Sequence, residues 1–358
     1  MFIFISSGDV NFMTILDTTV RDGSYAVDFK FSCKDVQDLV AKSERIGLEY
    51  IEIGHGLGLN ASGPEHGISL QTDEEYMNAA RQVAGKSKLG FFCIPDIARI
   101  DDIEIAARNK MNFIRIGVPV QIWTKAIPYI QKGREEGLEV FINFMKTYAA
   151  SPSEFGEAAK NAYSAGAQVA YMVDSAGNMT TDEIDRYIEE TRNASNIKIG
   201  FHGHNNLGLA VSNTLHCVKS GVDFIDCTFQ GLGRSIGNAS LEQVVMALEK
   251  TGYSTGFDIP RVLEYGYSGL RNIVRRDLIN PLDYMCGYTG FHSSFLKDIY
   301  RCCNEKNVDP LRLIMAYSKD NKLTMDYVKL CEIADEMPKD TEDNPYSFRK
   351  YFSERYKD

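Results

Sequence analysis

The chain has 358 residues, 44% of them hydrophobic and 25% charged, an ordinary balance for a globular protein. One hydrophobic core stops growing at roughly 250–300 residues, so a large domain and a smaller one are expected. With 49 acidic against 39 basic side chains the formal charge is −10. That sign, and the lack of any basic run, argue against a nucleic-acid partner.

Residues 1–12, MFIFISSGDVNF, read as an N-terminal extension. Their apolar run is shorter than a secretory core and no Lys or Arg precedes it. No stretch reaches the ~18 apolar residues that span a bilayer, so no membrane association is expected. Eight scattered cysteines, none in a C-x-x-C pair, fit buried thiols in a reducing compartment. The expected setting is cytoplasmic.

From residue 13 onward, short apolar runs alternate with helical patterns. The runs are MTILD (13–17), YIEIGH (50–55), KLGFFCIP (88–95), NFIRIGVP (112–119), LEVFINFM (138–145), QVAYMVDS (168–175), IKIGFHGH (197–204) and FIDCTFQG (224–231). Most are nearly continuous in apolar residues, as strands buried on both faces are. The intervening stretches 32–47, 73–85, 100–110, 153–166, 180–193, 207–221 and 239–252 carry helical spacing. Ser32 suits a cap and Gly47 a stop for the first of them. Residues 122–137 contain Pro128, which predicts a break in the helix there. Eight strand–helix units predict a (β/α)8 TIM barrel over 13–255. The alternation then ends, and 256–358 reads as a C-terminal all-α domain with a charged tail after Pro338.

Barrel chemistry sits at the C-terminal ends of the strands. There the first strand leads to Asp17, Arg21, Asp22 and Tyr25, the second to His55, the fifth to Asn143 and Lys146, and the sixth to Asp174 and Ser175. The seventh ends in His202-Gly203-His204. Two histidines spaced i, i+2 on a strand share a face and can grip one cation, with Asp22 as a third ligand. Such a centre binds substrate oxygens. Arg21 beside it suits an enolate oxygen, or a salt bridge to Asp17 or Glu52. The glycines from Gly231 to Gly237 lack the Lys-Ser/Thr of a P-loop and read as backbone packed over the site. His55 and Ser175 are candidate substrate contacts; His66 and His216 read as bland.

These segments also resemble a family. DTTVRDGSYAV, FHGHNNLGLAVSN and GLGRSIGNASLE are similar to the three ordered motifs of the DRE-TIM metallolyases, the group related to 3-hydroxy-3-methylglutaryl-CoA lyase. Within it IEIGHGLGL, YMVDSAG and GYTGFHSSFL resemble 4-hydroxy-2-oxovalerate aldolases. The likeness runs from about residue 13 to about 335. It implies a divalent cation, manganese or magnesium, on Asp22, His202 and His204, with Asn238 near it. It implies that Arg21 stabilises a pyruvate enolate as a carbon–carbon bond breaks or forms beside a carbonyl. The implied substrate is a 4-hydroxy-2-oxo acid giving pyruvate and an aldehyde; the alternative in the same group is a Claisen-type acyl-CoA synthase or lyase. In the resembling aldolases the helical domain docks an acylating aldehyde dehydrogenase. Self-association into a homo-oligomer is the simpler expectation for this chain.

Two positions depart from the aldolase pattern. Tyr25 stands where the family has a histidine, and His292 where it has a tyrosine. The exchange predicts a Tyr25–His292 pair with His292 as the general acid/base.

Overall fold

The computed structural model describes residues 13–257 and 291–339 except 322, with only isolated positions between 258 and 290. The N-terminal extension of 1–12 and the charged tail from 340 lie outside the described residues.

Eight strands close a parallel barrel in sequence order: β1 (Thr14–Asp17), β2 (Tyr50–Ile53), β3 (Lys88–Cys93), β4 (Phe113–Pro119), β5 (Glu139–Met145), β6 (Val169–Asp174), β7 (Lys198–Gly203) and β8 (Phe224–Cys227). β8 returns to β1 with Leu16 opposite Asp226, which completes the ring the alternation predicts. The helices α1 (Cys33–Ile46), α2 (Asp73–Arg81), α3 (Ile100–Arg108), α4 (Ile127–Glu135), α5 (Pro152–Ala165), α6 (Thr181–Ala194), α7 (Ala210–Lys219) and α8 (Leu241–Lys250) follow their strands.

Local signals set the helix ends. Ser32 with Asp35, Thr72 with Glu75 and Ser151 with Glu154 form reciprocal capping boxes. Gly47 closes α1 at φ 91°, a left-handed conformation that suits glycine. The fourth crossover divides into a 3-10 turn, Val120–Ala126, and α4. Pro128 sits in the first turn of α4, where its missing N–H leaves no carbonyl unpaired, so it starts the helix instead of kinking it.

The barrel interior is layered. Leu16, Tyr50, Phe113, Phe141, Tyr171 and Phe224 pack together in it. Two residues further along, the same inward faces carry Glu52, Arg115, Asn143, Val173 and Asp226, all buried. The apolar floor thus gives way to a charged layer at the end where the catalytic loops begin.

Beyond the barrel, α9 (Leu296–Lys306), α10 (Pro310–Tyr317) and α11 (Tyr327–Asp335) form a separate hydrophobic cluster with Leu282, Cys286 and Phe291. Val262 and Leu270 lie past residue 255 yet pack into the barrel's own core. No helix among the described residues is long and apolar enough to cross a membrane.

Candidate metal centre and active site

Asp22 opens a 3-10 turn, Asp22–Val27, directly after β1. His202 lies on β7, and His204 follows it in an isolated bridge to Asn238. One ligand atom from each of Asp22, His202 and His204 lies within 4.8 Å of the others, and all three residues are buried. Burial alone would raise the Asp22 carboxyl, but Arg21 and the two imidazoles outweigh it and hold it well below the usual carboxylate range. Its Oδ1 accepts from Arg21 Nη1 at 2.6 Å and its Oδ2 from Asn238 Nδ2 at 2.6 Å.

The donors fit a cation. The Asp226 carboxyl would be raised by burial, but Arg115 and His202 hold it low, so it is ionised and only accepts. His202 Nδ1, 2.8 Å from Asp226 Oδ2, therefore donates, and its Nε2 lone pair is left for a metal. Burial holds His204 neutral, with its pKa at about 4, and its Nδ1 has no partner among the described residues. Asn238 Oδ1 is likewise buried and unpaired. Orphaned acceptors beside an ionised carboxylate are what a divalent cation satisfies. The loop 231–237 closes down on this group as read from its glycines. A Cβ at Gly233 would stand 2.3 Å from Asn238 Nδ2 and 2.7 Å from Asp22 Oδ2.

Arg21 is locked in place. Its Nε donates to Glu52 Oε2 at 2.7 Å, and its guanidinium carbon lies 4.9 Å from the centre of the Phe92 ring. Asp17 is not its partner: alternation along β1 turns Asp17 away from the interior, and its carboxylate takes Thr19 and Ser43.

Sequence reasoning missed the charged layer beneath. Arg115, fully buried on β4, donates from Nη1 to Glu52 Oε2 at 3.0 Å and from Nη2 to Asp226 Oδ2 at 2.6 Å. Its guanidinium also lies 4.2 Å from the Tyr171 ring centre. One chain of ion pairs thus runs from Arg21 through Glu52, Arg115 and Asp226 to His202. The signal was present: a charged residue in the middle of an apolar strand, on the inward face shared with Phe113, demands a buried partner.

The other candidates separate. Tyr25 and His292 both lie in the field of Arg234, whose guanidinium carbon sits 4.8 Å from the Tyr25 ring centre. Burial raises the Tyr25 hydroxyl above its usual pKa, so it stays protonated. Burial first, then Arg234 and Lys146, push His292 well below the usual histidine range. His292 Nδ1 lies 2.7 Å from Ser294 Oγ and 3.2 Å from the Ser294 backbone nitrogen. Ser175 Oγ accepts from the Lys146 backbone N–H at 2.9 Å and keeps its own proton to give. At His55, Nδ1 accepts from Leu57, Nε2 donates to Gly67 O, and the ring stacks on Phe29 at 4.2 Å. Both ring nitrogens are thus held by backbone, and the ring shapes the loop after β2. His216 pairs with Asp185 away from the mouth.

Comparison with known proteins agrees with this geometry. The HMGL-like family description matches residues 13–266. An oxaloacetate decarboxylase of Mycobacterium tuberculosis is 34% identical over 308 residues, covering 86% of this chain and 91% of that protein. A 4-hydroxy-2-oxovalerate aldolase of Pelotomaculum thermopropionicum is 36% identical over 302 residues, covering 84% of this chain and 89% of that protein. Among solved structures, the HMG-CoA lyase of Brucella melitensis shares the fold with a TM-score of 0.64 at 18% identity, covering 74% of this chain and 99% of that one. Fold, ligand cluster and full-length relatives converge: the chain belongs to the HMGL-like family.

Proposed function

We propose that this chain is a divalent-metal-dependent aldolase that cleaves a 4-hydroxy-2-oxo acid to pyruvate and an aldehyde. The observation that carries the reading is the buried Asp22–His202–His204 group with Arg21 fixed beside it at the mouth of a barrel. Its relatives named 4-hydroxy-2-oxovalerate aldolase support the substrate class. One carboxylate and two imidazoles suit manganese or magnesium, which when bound would polarise the 2-oxo group.

The protein's own groups do the rest. Arg21, held in orientation by Glu52 and Asp22, stabilises the charge that develops on the pyruvate enolate oxygen. His292 keeps the acid/base role: as the carbon–carbon bond breaks, its neutral ring takes the 4-hydroxyl proton on Nε2 while the Tyr25 hydroxyl donates to the 4-oxygen, and the ring then returns that proton to the enolate carbon to give pyruvate. Ser294 Oγ, 2.7 Å from His292 Nδ1, accepts the ring's own proton in this role, which leaves Nε2 as the acceptor. Ser175 offers a hydroxyl to the substrate's carboxylate side. The eight cysteines stand as thiols outside any disulfide, which supports a cytoplasmic setting.

The relative named oxaloacetate decarboxylase favours a second reading. Losing carbon dioxide from that acid leaves the same enolate, so Arg21 and the cation would keep their roles. Pyruvate release from 4-hydroxy-2-oxo acids, measured beside release from oxaloacetate, separates the two.

Enolate formation has its own test. Incubated with manganese and pyruvate in deuterated water, the enzyme is expected to exchange the methyl protons, as seen by NMR. Exchange into an acyl-CoA without exchange into pyruvate would move the chain to Claisen chemistry. Arg21→Lys keeps the charge and loses the planar fork. It is expected to lower kcat more than about tenfold with a smaller change in KM. An unchanged kcat would reduce Arg21 to a structural partner of Glu52.

A further inference from the structure

Two cations at the barrel mouth have no carboxylate partner among the described residues. Lys146 follows β5 in a left-handed conformation at φ 57°. Its Nζ donates to Leu323 O at 2.6 Å and lies 4.7 Å from the Phe295 ring centre. A carbonyl and an aromatic face accommodate an ammonium without neutralising it. Arg234, in the glycine turn, rests on the Tyr25 ring. Both are half-buried, and both act on His292.

The two charges also act on each other. Burial, then the like charge of Arg234, lowers the Lys146 ammonium to a pKa of about 8. Two residues beyond Lys146, the Tyr148 hydroxyl is shut off from water without a hydrogen-bond partner, and it too lies in the field of Arg234. An orphaned hydroxyl costs free energy unless something fills it, and unopposed cations invite a negative charge. Asp22 does not meet that demand, because Arg21 and Asn238 already occupy its oxygens.

We propose that Lys146, Arg234 and Tyr148 form a subsite for a second carboxylate, borne by the substrate's fourth carbon, so that the preferred 4-hydroxy-2-oxo acid is a dicarboxylate. The subsite rests on the aldolase reading above. Its aldehyde product is then itself an acid, which sets this chain apart from cleavage of monocarboxylate 4-alkyl substrates. The seat is assembled across the fold, since Phe295 and Leu323 of the helical part hold the Lys146 ammonium over the barrel mouth.

The test compares 4-hydroxy-2-oxopentanedioate with 4-hydroxy-2-oxopentanoate, which differ only by a carboxylate in place of a methyl group. The wild-type enzyme is expected to favour the dicarboxylate in kcat/KM by at least about tenfold, the worth of one charge-assisted hydrogen bond. Lys146→Met is expected to remove most of that preference through a raised KM for the dicarboxylate. Inhibition of the wild type by 2-oxopentanedioate against 2-oxopentanoate gives the same comparison should the variant fail to fold. Pyruvate from both substrates at equal efficiency, or a preference for the monocarboxylate, overturns the subsite and leaves the aldolase intact. Pyruvate from neither overturns both.

Discussion

His202→Ala is expected to strip the divalent cation from the protein and to abolish activity. The substitution removes one of three ligands and leaves Asp22 and His204 to hold a cation alone. It also removes the partner of Asp226, whose carboxylate then loses the imidazole that orients towards it at 2.8 Å. Groups that merely orient a metal ligand are worth about 10–100-fold in affinity, so loss of the ligand itself should exceed about a hundredfold. Elemental analysis of the purified variant measures occupancy directly. Full occupancy in His202→Ala would remove this histidine from the centre, whatever the activity.

Replacing Arg115 by methionine is expected to cost about 3–5 kcal/mol of stability, the range for breaking a buried ion pair from one side. Glu52 and Asp226 are each at most 3% exposed and share this guanidinium, so the change leaves Glu52 with Arg21 alone and Asp226 with His202 alone. The pH dependence carries the signature. In the wild type Arg115 and His202 hold the Asp226 pKa below that of the unfolded chain, despite burial. Its contribution is therefore present above the unfolded pKa of about 4 and lost as pH falls. In Arg115→Met burial is less opposed, the folded pKa rises, and acidification restores stability instead of removing it. Urea unfolding at pH 7 and pH 5 measures both effects. A loss below about 1 kcal/mol, or the wild-type slope with pH, would show that the carboxylates do not depend on Arg115.

Much of the fold was legible because its causes are local. Each strand is a short apolar run, each crossover begins or ends on a capping residue or glycine, and the eightfold count needs no tertiary information. Asp22, His202 and His204 were legible for the same reason: i, i+2 spacing on a strand places two rings on one side. The Glu52–Arg115–Asp226 chain was not, because its members come from three strands and meet only when barrel register sets them at one level. The surroundings of His55 were not legible, because flanking glycines look the same whether they open a ring to substrate or let it stack on Phe29. Lys146 gave no sign of its surroundings, since Phe295 and Leu323 reach it from more than a hundred residues away.

The ion-pair chain also carries an uneven count of charge. Arg21 and Arg115 contribute two positive charges, and Asp22, Glu52 and Asp226 three negative ones, while burial keeps His204 neutral. Within the chain one carboxylate is therefore left over, an excess that a divalent cation would more than offset, whereas the half-buried Lys146 and Arg234 give the rest of the mouth the opposite sign. One barrel end thus sets a demand for a cation beside a demand for an acid.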